Sequence, residues 1–146
     1  ATNVIPEEIT MGGTIRALNE DVRKLAMSRL EELVQSICQA HGLSGEISFG
    51  DGYPIMRNHE PISRFVAETA AEMLGEDKVI IRQPKFGSED FAYFLERCPG
   101  AGYELGRSNE VKGITHMLHT PRFDLDEDVL PLGVELYLRL IEKFFD

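Results

Sequence analysis

Residues 3 to 25 read NVIPEEITMGGTIRALNEDVRKL, and a change of period inside this stretch sets the expected fold class. Ile9, Met11, Gly13, Ile15 and Ala17 fall on every second position, with Thr10, Thr14 and Arg16 on the opposite face, the pattern of a half-buried strand. At Asn19 the period lengthens. Asn19 can cap a helix, Glu20 and Asp21 suit the positive end of its dipole, and Val22, Leu25, Ala26, Leu30, Leu33, Val34, Ile37 and Cys38 then recur at helical spacing until His41-Gly42. GEISFG, residues 45 to 50, follows as a further strand. If Pro6 to Glu8 form a hairpin turn, the first strand is much shorter than the second, and part of its partner is expected to precede residue 1. The first part of the chain therefore predicts an open-faced α/β (α+β) arrangement, or the latter half of one.

The segment DGYPIMRN, residues 51 to 58, carries Gly52 and Pro54 and ends on a cap candidate, Asn58, which places a domain boundary between residues 57 and 58. Beyond it, Ile62, Phe65, Val66, Ala70, Met73 and Leu74 form one apolar helical stripe that Gly75 closes. KVIIR, residues 78 to 82, and GYELG, residues 102 to 106, read as short strands. Between them a helix is expected to start at Ser88, with Glu89 and Asp90 in its first turn, and to stop at Pro99-Gly100. A last helix spans Val129 to Phe145, with Pro131 in its first turn, where a missing N–H costs nothing. Helices alternating with short apolar strands again imply an α/β layer.

Composition narrows the function classes. The chain has 146 residues, 42% of them hydrophobic and 27% charged, which is a globular composition. Its formal charge of -10 contains no Lys/Arg-rich run, so a nucleic-acid partner is not expected. No apolar run is long enough to span a bilayer, so no membrane partner is expected either. The opening residues lack a signal peptide's basic and apolar regions, and Cys38 and Cys98 form no short pair. A cytoplasmic protein with two reduced thiols is the resulting expectation.

Three segments could carry chemistry. HMLHTPRFDLDED, residues 116 to 128, puts two of the four histidines three apart in a loop, ahead of Asp124, Asp126, Glu127 and Asp128. A catalytic metal needs about three protein ligands, and no HExxH, HxH or CxxC supplies them, so His116 and His119 can equally be a surface pair. Asp126 to Asp128 fit the first turn of the last helix, whereas Asp124 lies outside it. In GSEDF, Gly87 and Ser88 at a helix start would leave backbone N–H groups for a carboxylate or phosphate, or would simply cap the helix. Asn3 and Arg16 would sit on neighbouring strands of the hairpin, where Arg16 could grip a carboxylate or be a solvated strand residue.

In their order and separations, NVIPEEITMGGTIR, GSEDFAYFL and LHTPRFDLDEDVLPLG resemble one family of metal-dependent amidohydrolases. It includes the N-acyl-amino-acid hydrolases, hippurate hydrolase and the indoleacetyl-amino acid hydrolases, and is related to aminoacylase and the glutamate carboxypeptidase metallopeptidases. The resemblance covers essentially the whole chain. It implies that residues 1–57 are the second half of a ferredoxin-like satellite, or dimerisation, domain. Residues 58–146 would be the C-terminal part of a zinc-aminopeptidase-like α/β catalytic domain. By the same likeness His119 is a ligand to one of two divalent metals, zinc or manganese, with cobalt or nickel as alternatives. Asn3 and Arg16 would hold the substrate carboxylate or the oxyanion across a homodimer. Gly87 and Ser88 would line the pocket, with Glu89 and Asp90 following them, and His116 has no family role. No catalytic residue is expected in this chain, because the general base and the other metal ligands would lie upstream.

The expected function is thus that of a C-terminal piece of an enzyme hydrolysing N-acyl-amino acids or related peptides, inactive by itself. The alternative is a stand-alone carboxylate-binding or dimerisation module without catalysis.

Overall fold

The computed structural model describes residues 3–146 and divides into two compact units, Ala1–Ile55 with Gln83–Glu89, and Met56–Arg82 with Asp90–Asp146. The first break in the chain falls at 55/56, and Gln83–Glu89, expected within residues 58–146, group with the first unit.

The first unit is built around α1, Glu20–Ala40. The Asn19 side chain accepts hydrogen bonds from the Asp21 and Val22 amides at 2.8 and 3.2 Å, satisfying two of the donors a helix start leaves open. The helix ends at His41, the Leu43 amide bonds back to the Cys38 carbonyl at 2.8 Å, and Gly42 follows at φ 69, the left-handed turn that glycine adopts without a Cβ clash. The Gln35 side chain then holds the Gly45 carbonyl at 2.8 Å, and a Cβ on Gly45 would meet the Cys38 sulfur at 2.5 Å, so the returning chain lies directly on the helix.

The second unit contains α2, Glu60–Leu74, the short α3, Phe91–Leu95, and α4, Leu130–Phe145. Short 3-10 turns at Glu76–Lys78 and Glu127–Val129 follow α2 and precede α4. Helix α2 packs on α4, burying Thr69 and Ala70 of one and Leu136 of the other, and the Lys143 ammonium binds Glu72 across the pair. The chain near 103 crosses α4: the Tyr103 and Tyr137 rings lie 5.7 Å apart, and a Cβ on Gly133 would sit 3.4 Å from Leu105. Burial, and then the hydrogen bond with Tyr137, push the Tyr103 hydroxyl up to about 12.

Three local expectations are corrected. The cap of α2 is His59, because the Asn58 side chain is committed elsewhere: it donates to the Gly102 carbonyl at 2.8 Å and accepts from the Gly102 amide at 3.0 Å. The helix expected from Ser88 begins at Phe91 and has 5 residues. So short a helix does not stand on propensity, and it forms where Ala92, 1% exposed, is buried. The segments read as strands, residues 9–17, 45–50, 78–82 and 102–106, form no ladder among the described residues. A single antiparallel bridge, Asn109 with Ile114, is present instead. A strand is defined by a partner's backbone groups, and an alternating pattern records only which face such a partner would bury. Ile5, Ile9, Met11, Ile80 and Ile81 remain largely exposed.

Candidate functional site

The loop from His116 to Asp124 lies in the second unit and is shaped by its own polar groups. The Thr120 hydroxyl donates to the Met117 carbonyl at 3.0 Å, and the Phe123 amide to the Thr120 carbonyl at 3.0 Å. Between these bonds His119 takes φ 63, and no other non-glycine residue described here has a positive φ. The left-handed region costs an L-residue roughly 1–2 kcal/mol, and histidine, although enriched there, remains there only when its surroundings hold it. The side chain is exposed, and no described group bonds to its imidazole.

Arg107 closes the loop at both ends. Its guanidinium donates to the Asp124 carbonyl at 2.8 Å and to the His116 carbonyl at 2.6 Å, and lies 4.8 Å from the centre of the Phe123 ring. Its own carbonyl accepts from the Asp126 amide at 3.0 Å. A planar fork of donors can bridge two carbonyls in this way, whereas an ammonium acts from one point.

Behind the loop lies a polar cluster. Asn109 and Ile114 exchange main-chain hydrogen bonds of 2.9 and 2.8 Å around a turn with Gly113 at φ 73, and this turn carries Lys112 back to the acidic run. Asp126 is buried, and it accepts from Asn109 at 2.6 Å, from the Lys112 ammonium and, at 3.3 Å, from the Asp128 amide. The bond from Lys112, then that from Asn109, holds the Asp126 carboxyl below the ordinary carboxylate range. The bonds to Asp126 and Asp128 push Lys112 up to about 12. Asp126 is therefore a structural anion that caps the turn before α4. Asp124 is exposed, and its carboxylate turns back to the Leu125 amide at 2.8 Å.

The remaining candidates lie in the first unit, except Asp90. Asn3 and Arg16 are exposed; the Arg16 guanidinium donates to the Thr14 hydroxyl at 2.6 Å, and no hydrogen bond joins Arg16 to Asn3 among the described residues. Gly87, Ser88 and Glu89 are exposed loop residues. Because the helix starts only at Phe91, the expected anion cradle of helix N–H groups at Gly87 and Ser88 is absent. Asp90 occupies the cap position of α3 without a side-chain cap bond.

Among the described residues no group of three or more His, Cys, Asp or Glu side chains is arranged to hold a metal. One imidazole at His119 does not make a metal site, so the described residues by themselves do not fit the group. Sequence reasoning missed Arg107 and the Lys112–Asp126 pair; the turn signal Lys112-Gly113 was there to be read, but the grip of Arg107 on main-chain carbonyls leaves no mark in residue types.

Comparison with known proteins adds to this geometry. Residues 4–143 match the family model described as Peptidase family M20/M25/M40. Thermostable carboxypeptidase 2 of Saccharolobus solfataricus is 38% identical over 143 residues, which is 97% of this chain and 36% of that protein. A probable hydrolase of Synechocystis is 34% identical over 92% of this chain and 34% of its own length. An IAA-amino acid hydrolase of Arabidopsis thaliana is 27% identical over 99% of this chain and 32% of its own length. The chain thus spans about a third of the length of these relatives. No helix among the described residues is long and apolar enough to cross a membrane.

Proposed function

The chain belongs to peptidase family M20/M25/M40, and from that premise we propose that it supplies part of a metal-dependent hydrolase acting on a linear amide of an amino acid. The relatives named carboxypeptidase, hydrolase and IAA-amino acid hydrolase support this class. The observation that carries it is His119: an exposed imidazole on a left-handed residue, at the turn of a braced loop, is the arrangement expected of a ligand offered outward. In this reading the other ligands and the general base come from outside residues 3–146, and zinc or manganese is the metal.

The remaining roles follow the chain's own chemistry. Arg16, exposed and already oriented by Thr14, has donors free for the substrate carboxylate, with Asn3 as its neighbour in recognition. Gly87 and Ser88 would contribute to the pocket as loop groups, through main-chain N–H and hydroxyl, and without a helix dipole. A homo-oligomer joined through the first unit would bring Asn3 and Arg16 to the site.

Co-expression of the chain with the part of a carboxypeptidase relative that it does not match tests this reading on hippurate and N-acetyl-amino acids. Metal-dependent turnover that His119→Ala abolishes and Arg16→Ala weakens chiefly through KM is the expected result. Turnover indifferent to His119 would refute it.

A further inference from the structure

We propose that Arg107 is the positioning residue of the His119 loop, a clamp that holds this histidine in its left-handed conformation. The inference deepens the reading of His119 as a ligand and rests on it for its functional meaning, but the clamp itself is argued from loop geometry.

The bonds internal to the loop, Thr120 to Met117 and Phe123 to Thr120, each span 3 residues and close only the turn. They do not fix the distance between the loop's ends. Arg107 does, because one guanidinium joins the carbonyls of His116 and Asp124, which are 8 positions apart in sequence and flank His119. Its central carbon also lies over the Phe123 ring, a contact that any movement releasing either carbonyl would have to break. The main chain of Arg107 is itself tied to the Asp126 amide, and Asp126 is fixed by Asn109 and Lys112. The clamp is therefore anchored at its root as well as at its tip.

Arginine suits this place for a geometric reason. The two carbonyls need donors diverging from one rigid plane, which Arg has and Lys lacks. Without the bridge, the two carbonyls would return to water, and the main-chain ties at Ile114 and Asp126, which lie outside the loop, would leave His119 freer to relax toward negative φ. An imidazole ligand displaced by about an ångström loses much of its value to a catalytic site, so this brace would bear on function without touching the substrate.

The test uses the full chain, labelled with nitrogen-15 and carbon-13, as wild type, Arg107→Ala and Arg107→Lys. The sign of φ at His119 is read from its one-bond Cα–Hα coupling and carbon shifts, and no metal or substrate is added. The expected result is loss of the positive-φ signature in Arg107→Ala, partial retention in Arg107→Lys, and recovery in Arg107→Ala on adding guanidinium ion at non-denaturing concentration. Amide signals of Asn109, Lys112 and Asp126 should persist in all three, which separates loss of the clamp from loss of the fold. An unchanged signature in Arg107→Ala, or a loss that guanidinium does not restore, would overturn the proposal. The functional reading fails separately, if His119→Ala leaves turnover of the assembled enzyme intact.

Discussion

His119 stands where a polar side chain is exposed and the backbone is strained, a pairing that costs stability and therefore points to a use. Replacing it with glycine should leave stability unchanged or raise it by up to about 1 kcal/mol, since relief of the left-handed backbone outweighs or offsets the greater freedom of unfolded glycine. Urea unfolding of the variant measures this, and a clear loss would mean that the imidazole is a structural group. Asp126 behaves in the opposite way. Its folded carboxyl titrates below the ordinary value, so its contribution to stability is present above about pH 4 and is lost as pH falls through the depressed folded value. Lys112, pushed up to about 12, contributes below its ordinary range and loses that contribution only as pH rises through about 12. Asp126→Asn should therefore lower the urea midpoint at neutral pH and flatten the loss of stability between pH 5 and pH 2. A variant that kept the wild-type acid slope would assign that slope to other carboxylates. His119 stood out as a candidate ligand through the LHTP motif, whereas Arg107 carried no such mark, because its partners are carbonyl groups that every residue possesses.

At the scale of elements, α1, α2 and α4 follow closely from apolar period and local signals. Asn19 caps α1 as its position suggested, Gly75 at φ 101 follows α2, and Pro131 lies in the first turn of α4. Asn19→Ala should cost about 1 kcal/mol of helix stability, seen as a loss of far-ultraviolet ellipticity on heating. The α2–α4 pair depends on a narrow buried seam, in which Leu136 is 4% exposed. Leu136→Ala should cost about 2–5 kcal/mol in chemical unfolding, and a cost under about 1 kcal/mol would show that this seam does not hold the second unit together. The cap of α2 and the start of α3 were less legible. Asn58 has the side chain of a cap but bonds the backbone of Gly102, 44 positions away, a tertiary demand that no local window contains. The alternating residues 9–17 announce a face to be buried, yet an alternation does not name the chain that buries it.

At the scale of the molecule, each unit leaves an apolar helix face exposed. Val22, Leu25, Leu33 and Ile37 on α1 and Val134, Tyr137, Leu138 and Ile141 on α4 are all exposed, at spacings that keep each set on a continuous helical face. By itself the chain should associate as concentration rises. Light scattering behind gel filtration should show its mean mass increasing, and a constant monomer mass would indicate that these faces tolerate water. A calorimetric titration of zinc into the chain joined to the unmatched part of a family relative, with His119→Ala in parallel, tests whether His119 binds the metal. Binding in the parent that weakens at least tenfold in His119→Ala is the result expected of a ligand, and equal zinc affinity in both would contradict the assignment of His119 to the metal.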